Sequence, residues 1–235
     1  MKKIMLMVIA AGLLASCTSC RFNYKNEHVR TETVTQVKDF EKIEMLGSMD
    51  VEYMQSDSFE ISVTAPDAVM KKVETVVNDH TLQIRMRGSN RLFHFGDVSS
   101  GGVKVTVKSP DLIGVKVSGS GDFVCQGLLD TDVLDINLVG SGDVTFQNVI
   151  CDQVNVNLVG SGDVDVKNVR TQKSSMELIG SGDIKMNFGE ARIVDARLVG
   201  SGDITLLGHV DMLKSSVHGS GDLDTYKLTI KNEQK

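Results

Sequence analysis

From residue 113 to residue 225, apolar and polar positions alternate in short runs that return about every twenty residues. Each run surrounds one tetrapeptide, Gly-Ser-Gly-Asp. Its first glycine and its aspartate stand at Gly119 and Asp122, Gly140 and Asp143, Gly160 and Asp163, Gly180 and Asp183, Gly200 and Asp203, and Gly219 and Asp222. Two residues before each copy lies the column Val117, Leu138, Leu158, Leu178, Leu198, Val217. Four before it lies Val115, Ile136, Val156, Met176, Ala196, Ser215, and six before it Ile113, Leu134, Val154, Ser174, Val194, Leu213. One residue after each copy lies Phe123, Val144, Val164, Ile184, Ile204, Leu223, and three after it Cys125, Phe146, Val166, Met186, Leu206, Thr225. Of these 30 positions 27 are apolar, while the positions between them are almost all polar. Period-two alternation marks half-buried strands, not helices. Each repeat therefore predicts one strand entering the tetrapeptide and one leaving it. A looser turn, such as 150–153 or 189–192, leads to the next repeat.

Self-similarity at a fixed period near 20 predicts an all-β solenoid, in which each repeat is one coil. The alternative is an up-and-down meander with each tetrapeptide as a hairpin turn. The outward columns favour stacking. Glu177 precedes Arg197, Asp195 precedes Lys214 and Asn137 precedes Asn157, and neighbouring strands pair well on opposite charges and amide ladders. Six coils at ~4.8 Å each give a core roughly 30 Å long.

The tetrapeptide has two readings. Its glycines suit a sharp corner and its aspartate suits an Asx-turn, bonding the backbone two residues on. Alternatively, six stacked carboxylates could take up calcium. Calcium-binding β-rolls, however, carry their glycine-aspartate repeat at a nine-residue period. The turn reading is preferred, and no cofactor is expected.

The part before the array is also β-rich. Strands are expected at 33–37, 43–45, 51–54, 59–63, 82–86 and 103–107, and a short helix over 66–77. Gly47-Ser48-Met49-Asp50 looks like a decayed seventh tetrapeptide. The resulting organisation is a leader over 1–16, a tether over 17–32, a β-rich part over 33–110, and the solenoid over 111–235, continuous with the preceding part. The leader has Lys2 and Lys3, an apolar run too short to span a membrane, and then Leu14-Ala15-Ser16-Cys17. That sequence resembles a bacterial lipobox. The resemblance implies cleavage before Cys17 and lipid on its sulfur, hence a membrane anchor. No acidic run follows the cysteine, which points to the periplasmic face of the outer membrane rather than the cell surface.

The run over 40–45, Gly-Ser-x-Asp at 47–50, the strand–proline–strand pattern, and 103–110 leading into 115–122 together resemble the auto-transporter adhesin head GIN domain. This is a family of unknown function, mostly in secreted or lipid-anchored proteins of Bacteroidetes-type bacteria. The resemblance covers about 33–225. It implies a right-handed parallel β-helix and supplies no catalytic residues.

Composition narrows the function. Aromatic residues make up 5% and Trp is absent, which argues against a stacking platform for sugars or bases. Loss of Lys2 and Lys3 with the leader moves the net charge from −6 to −8, so nucleic acid is not an expected partner. The five histidines show no metal-ligand spacing. Serines replicated in six copies suggest structure, since an active site needs one unusual environment. Cys125 falls in an inward column and Cys151 in a turn; a disulfide between them and two free thiols both remain open. Arg85, Arg87, Arg91, Phe93, His94 and Phe95 form the one basic and aromatic cluster. It is read as a solvated loop or as a contact site for an anionic surface or partner. The expectation is a non-enzymatic, rigid binding or adhesion module for an unknown protein or glycan ligand. The alternatives are a polysaccharide-acting β-helix enzyme and a self-associating structural component, since the frayed last coil leaves an edge for a homo-oligomer.

Overall fold

The computed structural model describes residues 28–34, 37–87 and 102–231. Cys17, with the leader, lies outside the described residues, and so do Arg91, Phe93, His94 and Phe95. In chain order the elements are β1 (Val29–Val34), β2 (Lys42–Gly47), β3 (Asp50–Gln55), β4 (Glu60–Pro66), the single-turn helix α1 (Asp67–Met70), β5 (Val73–Asn78), β6 (Thr81–Met86) and β7 (Lys104–Ser109). There follow β8 (Gly114–Gly119), β9 (Phe123–Asp130), β10 (Val133–Gly140), β11 (Val144–Gly160), β12 (Val164–Gly180), β13 (Ile184–Gly200), β14 (Ile204–Gly219), β15 (Leu223–Asp224) and β16 (Leu228–Ile230).

The array winds. β10 pairs with β11, β11 with β12, β12 with β13 and β13 with β14, all parallel, and the predicted columns are the observed register. Leu138, Leu158 and Leu178 are successive partners, as are Asn137, Asn157 and Glu177. This is a β-solenoid of about six turns with coils about 20 residues apart, and the meander is excluded. The decayed tetrapeptide belongs to the same stack. β2 and β3 form a coil whose Gly47 is the register partner of Gly119.

The N-terminal end is wound out of sequence order. β6 and β7 lie parallel outside β2 and β3, so the β2–β3 coil sits between a later coil and the array. Beyond β6 lies antiparallel β5, and beyond β7 lie antiparallel β4 and then β1. Reversed strands thus cover this end of the core.

Three expectations are corrected. The helix expected over 66–77 is only Asp67–Met70; Val73, Thr75, Val76 and Val77 form β5 instead. Four β-branched side chains fit a half-buried sheet better than a helix. The hairpin closes through Asp79 and His80, at φ +47° and +55°, which is the geometry of a tight hairpin turn. The looser turns at 150–153 and 189–192 are bends inside continuous 17-residue strands, β11 and β13. Their inward column is Thr131, Cys151, Thr171, Ala191, all buried. Cys151 is therefore a buried strand residue, not a turn residue. Finally, β1 begins at Val29, inside the stretch read as tether.

The core is a set of stacked aliphatic ladders. Val117, Leu138, Leu158, Leu178 and Leu198 each have 0% exposure. Near the N-terminal end, rings pack in series, Tyr53 on Phe123 at 6.4 Å and Phe123 on Phe146 at 5.5 Å between centroids. The buried Tyr53 hydroxyl donates to the Ser109 carbonyl oxygen at 3.2 Å. Burial pushes its phenol well above the ordinary range. Val217 and Ser215, expected inward, are exposed, and Thr225 is only half-buried, because they belong to the last coil.

Candidate functional site

Two surfaces arise from the winding: the corner built by the tetrapeptides and the outward face of the strands that enter them. At the corner the first glycine is required by both conformation and space, the second by space alone. The first of each pair has φ between +132° and +144° from Gly119 to Gly219, a region closed to most L-residues. The second has no such φ, yet a Cβ on Gly162 would lie 1.9 Å from the Gly142 carbonyl oxygen. The coils stack there backbone on backbone. Each first glycine's carbonyl oxygen accepts the amide of the next coil's serine, as Gly140 O does from Ser161 N at 2.9 Å.

The aspartates form a ladder of another kind than an Asx-turn. Asp122 Oδ1 accepts the Asp143 amide at 3.0 Å, Asp143 the Asp163 amide at 3.1 Å, Asp163 the Asp183 amide at 3.0 Å, Asp183 the Asp203 amide at 3.0 Å and Asp203 the Asp222 amide at 2.9 Å. Asp50 starts the series by accepting from Asp122 N at 3.2 Å. Each carboxylate is thus tied to the coil 19 to 21 residues on, or 72 for Asp50, rather than to its own turn. Burial first, then neighbouring carboxylates, raise Asp50 and Asp143 above the ordinary aspartate value, against the lowering effect of the bonded amides. Among the described residues no three His, Cys, Asp or Glu side chains come together in a way that could hold a metal ion.

The outward face of β10–β13 carries a different pattern. One column is Lys116, Asn137, Asn157, Glu177, Arg197; the next is Asp135, Asn155, Ser175, Asp195. Asn155 Nδ2 donates to Asp135 Oδ1 at 2.7 Å, and Arg197 Nη1 meets Glu177 Oε1 at 3.3 Å. Of these, Asp135, Asn137, Asn155, Asn157, Ser175 and Glu177 line a shallow groove of about 280 Å³. Beside them, immediately before each corner, runs a third outward column: Val139, Val159, Ile179 and Val199. Val139 is 46% and Ile179 40% exposed. Four β-branched aliphatic side chains in register make a ridge about 14 Å long on a face that should be polar. This ridge was not foreseen. The signal was present in the position immediately before each tetrapeptide, but an apolar residue beside an apolar column reads as core.

The foreseen contact cluster is only partly described. Arg85 Nε and Arg87 Nε both reach Glu74, at 3.2 and 2.7 Å, and these bonds hold the Glu74 carboxyl below its ordinary range. Both arginines are therefore engaged by their own hairpin. Cys125 and Cys151 are buried and free. Cys151 Sγ donates to Thr171 Oγ1 at 3.7 Å. Burial pushes the Cys125 thiol up to about 12, so it behaves as a small apolar side chain. No helix among the described residues is long and apolar enough to cross a membrane.

Comparison with known proteins places this geometry. The family described as "Putative auto-transporter adhesin, head GIN domain" matches residues 39–168 and again 155–234. The chain belongs to this family. Among solved structures, a putative adhesin from Bacteroides fragilis is 26% identical with a TM-score of 0.67, covering 85% of this chain and 97% of that one. A putative lipid binding protein from Parabacteroides distasonis is 25% identical with a TM-score of 0.65, covering 83% and 96%. A putative adhesin from Parabacteroides merdae, at 21% identity and a TM-score of 0.57, shares the fold. No curated protein matches the chain.

Proposed function

We propose that this GIN-domain protein is a non-enzymatic binding module of the cell envelope, anchored to the outer membrane through lipid on Cys17, with its ligand lying along the outward face of β10–β13. The observation that carries the reading is the outward apolar ridge, exposed at Val139 and Ile179 and half-buried at Val159 and Val199, beside a ladder of amides and carboxylates. The ladder offers donors and acceptors at one strand spacing, ~4.8 Å, and the ridge offers apolar contact along the same line. An extended ligand, glycan or peptide, fits such a surface. The two carboxylates of the groove favour binding over hydrolysis. Asp135 accepts from Asn155 and Glu177 pairs with Arg197, so both carboxylates are engaged by their neighbours on the ladder. The adhesin names of the relatives agree with a display role. The lipid-binding name of one relative makes an acyl chain along the ridge the second reading.

The test is a binding screen with the lipid-free chain against a glycan panel, extracellular-matrix proteins and phospholipid vesicles. The paired change Val159→Thr with Ile179→Thr keeps strand propensity while removing apolar surface. It is expected to lower binding to the captured ligand at least about tenfold, which is ~1.4 kcal/mol, with unchanged thermal stability. Binding by the variant equal to that of the parent would reject the face as the site. Separately, metabolic labelling with palmitate is expected to mark the parent and not Cys17→Ser.

A further inference from the structure

The two ends of the solenoid are finished differently. The N-terminal end is closed by the reversed strands β5 and β4, with β1 outside β4. At the other end the final coil is β14's second half together with β15 and β16. Among the described residues no strand pairs with the outer edge of β14 beyond Val210. Residues 214–220 are all exposed. In the column that is 0% exposed at Val117, Leu138, Leu158, Leu178 and Leu198, Val217 is 43% exposed. Leu213 is only partly buried, against 0% for Leu134, Val154 and Val194 in its column. Among the described residues the ladder of core residues therefore stops with its last rung facing solvent, beside a row of backbone groups that no described strand pairs. Such an edge is a template for another strand, and Lys214 is the one lysine guarding it.

We infer that this edge pairs with the same edge of a second copy, antiparallel about a twofold axis through Ser215. The occupant follows from the order of side chains. Residues directly opposite in a sheet share a face. With Ser215 on the axis, Leu213 of each copy lies opposite Val217 of the other, so the partly buried and the exposed core residue are each covered twice over by one operation. Moving the axis by one residue sets Leu213 opposite Ser215 or Gly219 and leaves the apolar pair unmatched. On the outward side the same register sets Met212 opposite His218 and Lys214 opposite Ser216, so no like charges face directly. The small Ser215 at the centre meets only itself. An isologous contact of this kind closes, giving a dimer rather than a fibre. A single strand pair is a small interface, so the dimer is a reversible one. The contact leaves the ridge and groove of β10–β13 on the outside, and it stands or falls independently of their ligand.

The test uses the full chain with Cys17 and Cys20 replaced by serine, examined by analytical ultracentrifugation across roughly micromolar to hundred-micromolar concentrations. A monomer–dimer equilibrium is expected, and Val217→Lys should weaken it at least about tenfold without loss of folded signal. Position is tested by cysteine substitution. Ser215→Cys places two thiols on the axis and is expected to cross-link copies under mild oxidation, whereas Lys214→Cys and Ser216→Cys, which face one another rather than themselves, should cross-link far less. A parent that stays monomeric throughout, open-ended polymers in place of a dimer, or equal cross-linking at the three positions would each overturn the inference.

Discussion

Single residues at the corner decide whether the coils can stack, because backbone meets backbone there. At the second glycine of each tetrapeptide the backbone angle is ordinary, and the requirement is purely one of space. Gly162→Ala would drive a Cβ to 1.9 Å from a backbone oxygen that is itself held by the stack. Neither partner can retreat without breaking the ladder, so a loss of more than about 3 kcal/mol is expected in urea unfolding. Gly127 is the control. Its φ is +93°, but nothing lies within 4 Å of its Cβ position, so Gly127→Ala should cost only the backbone term, about 1–2 kcal/mol. Equal losses at the two sites would show that the coils do not stack as closely as the geometry requires.

The aspartate beside it makes a prediction about pH. Asp143 is raised above the ordinary value of 3.8, by burial first and by Asp122 and Asp163 in addition. The folded protein then binds more protons than the unfolded chain between 3.8 and the raised value. Stability from this group falls as pH rises through that window, and the charged form costs stability above it. Asp143→Asn retains an oxygen to accept the Asp163 amide and removes the charge. Its melting temperature is expected to exceed the parent's at pH 7, and the difference to vanish as pH falls below about 3.8. The comparison with the parent removes the opposite trend from Glu44 and Glu74, whose carboxyls lie low. A variant less stable than the parent at pH 7 would mean that the charge strengthens the ladder bond by more than burial costs.

At the scale of elements, what could be read from the chain was what repeats. Six copies of one tetrapeptide fix the corner, and alternation fixes which side chains enter the core, so strands, register and column partners follow together. The single copies were legible only as strands. Nothing in β6 or β7 says that they wind outside β2 and β3, because that order depends on long-range pairing and not on any local pattern. β5 was misread because Ala68, Val69, Val73 and Val76 fall near helical spacing, although β-branched residues dominate after Met70. The stretches 150–153 and 189–192 look like turns joining one repeat to the next because the strict alternation lapses there. Their inward column is Thr131, Cys151, Thr171, Ala191, small side chains that leave room for a bend. The Thr171 hydroxyl lies 3.0 Å from the carbonyl oxygens of both Asp152 and Lys173 and shares its one proton between them. The ridge was missed for the converse reason: an outward apolar residue beside a core column has no local mark.

For the whole molecule the consequence of winding is that length is modular. Each coil touches only the coils before and after it, so stability is close to a sum over coils and their interfaces. Residues 164–183 form one complete coil, from the residue after one tetrapeptide to the end of the next. Removing them joins Asp163 to Ile184 and sets Val144 against Ile184, Phe146 against Met186 and Leu158 against Leu198, all inward pairs of the kind already present. The shortened chain is expected to fold, to lose ~4.8 Å in length by small-angle scattering, and to unfold in urea with a lower midpoint and a proportionately smaller dependence on denaturant. Removing only 164–173 deletes half a coil. It brings Asp163 to Ser174, places the next corner on the wrong side of the sheet, and leaves the glycine ladder without a partner, so this chain should not fold. If both deletions behave alike, the twenty-residue repeat is not the unit of folding, and the stacking that positions the ridge, the groove and the open edge of β14 would need another explanation.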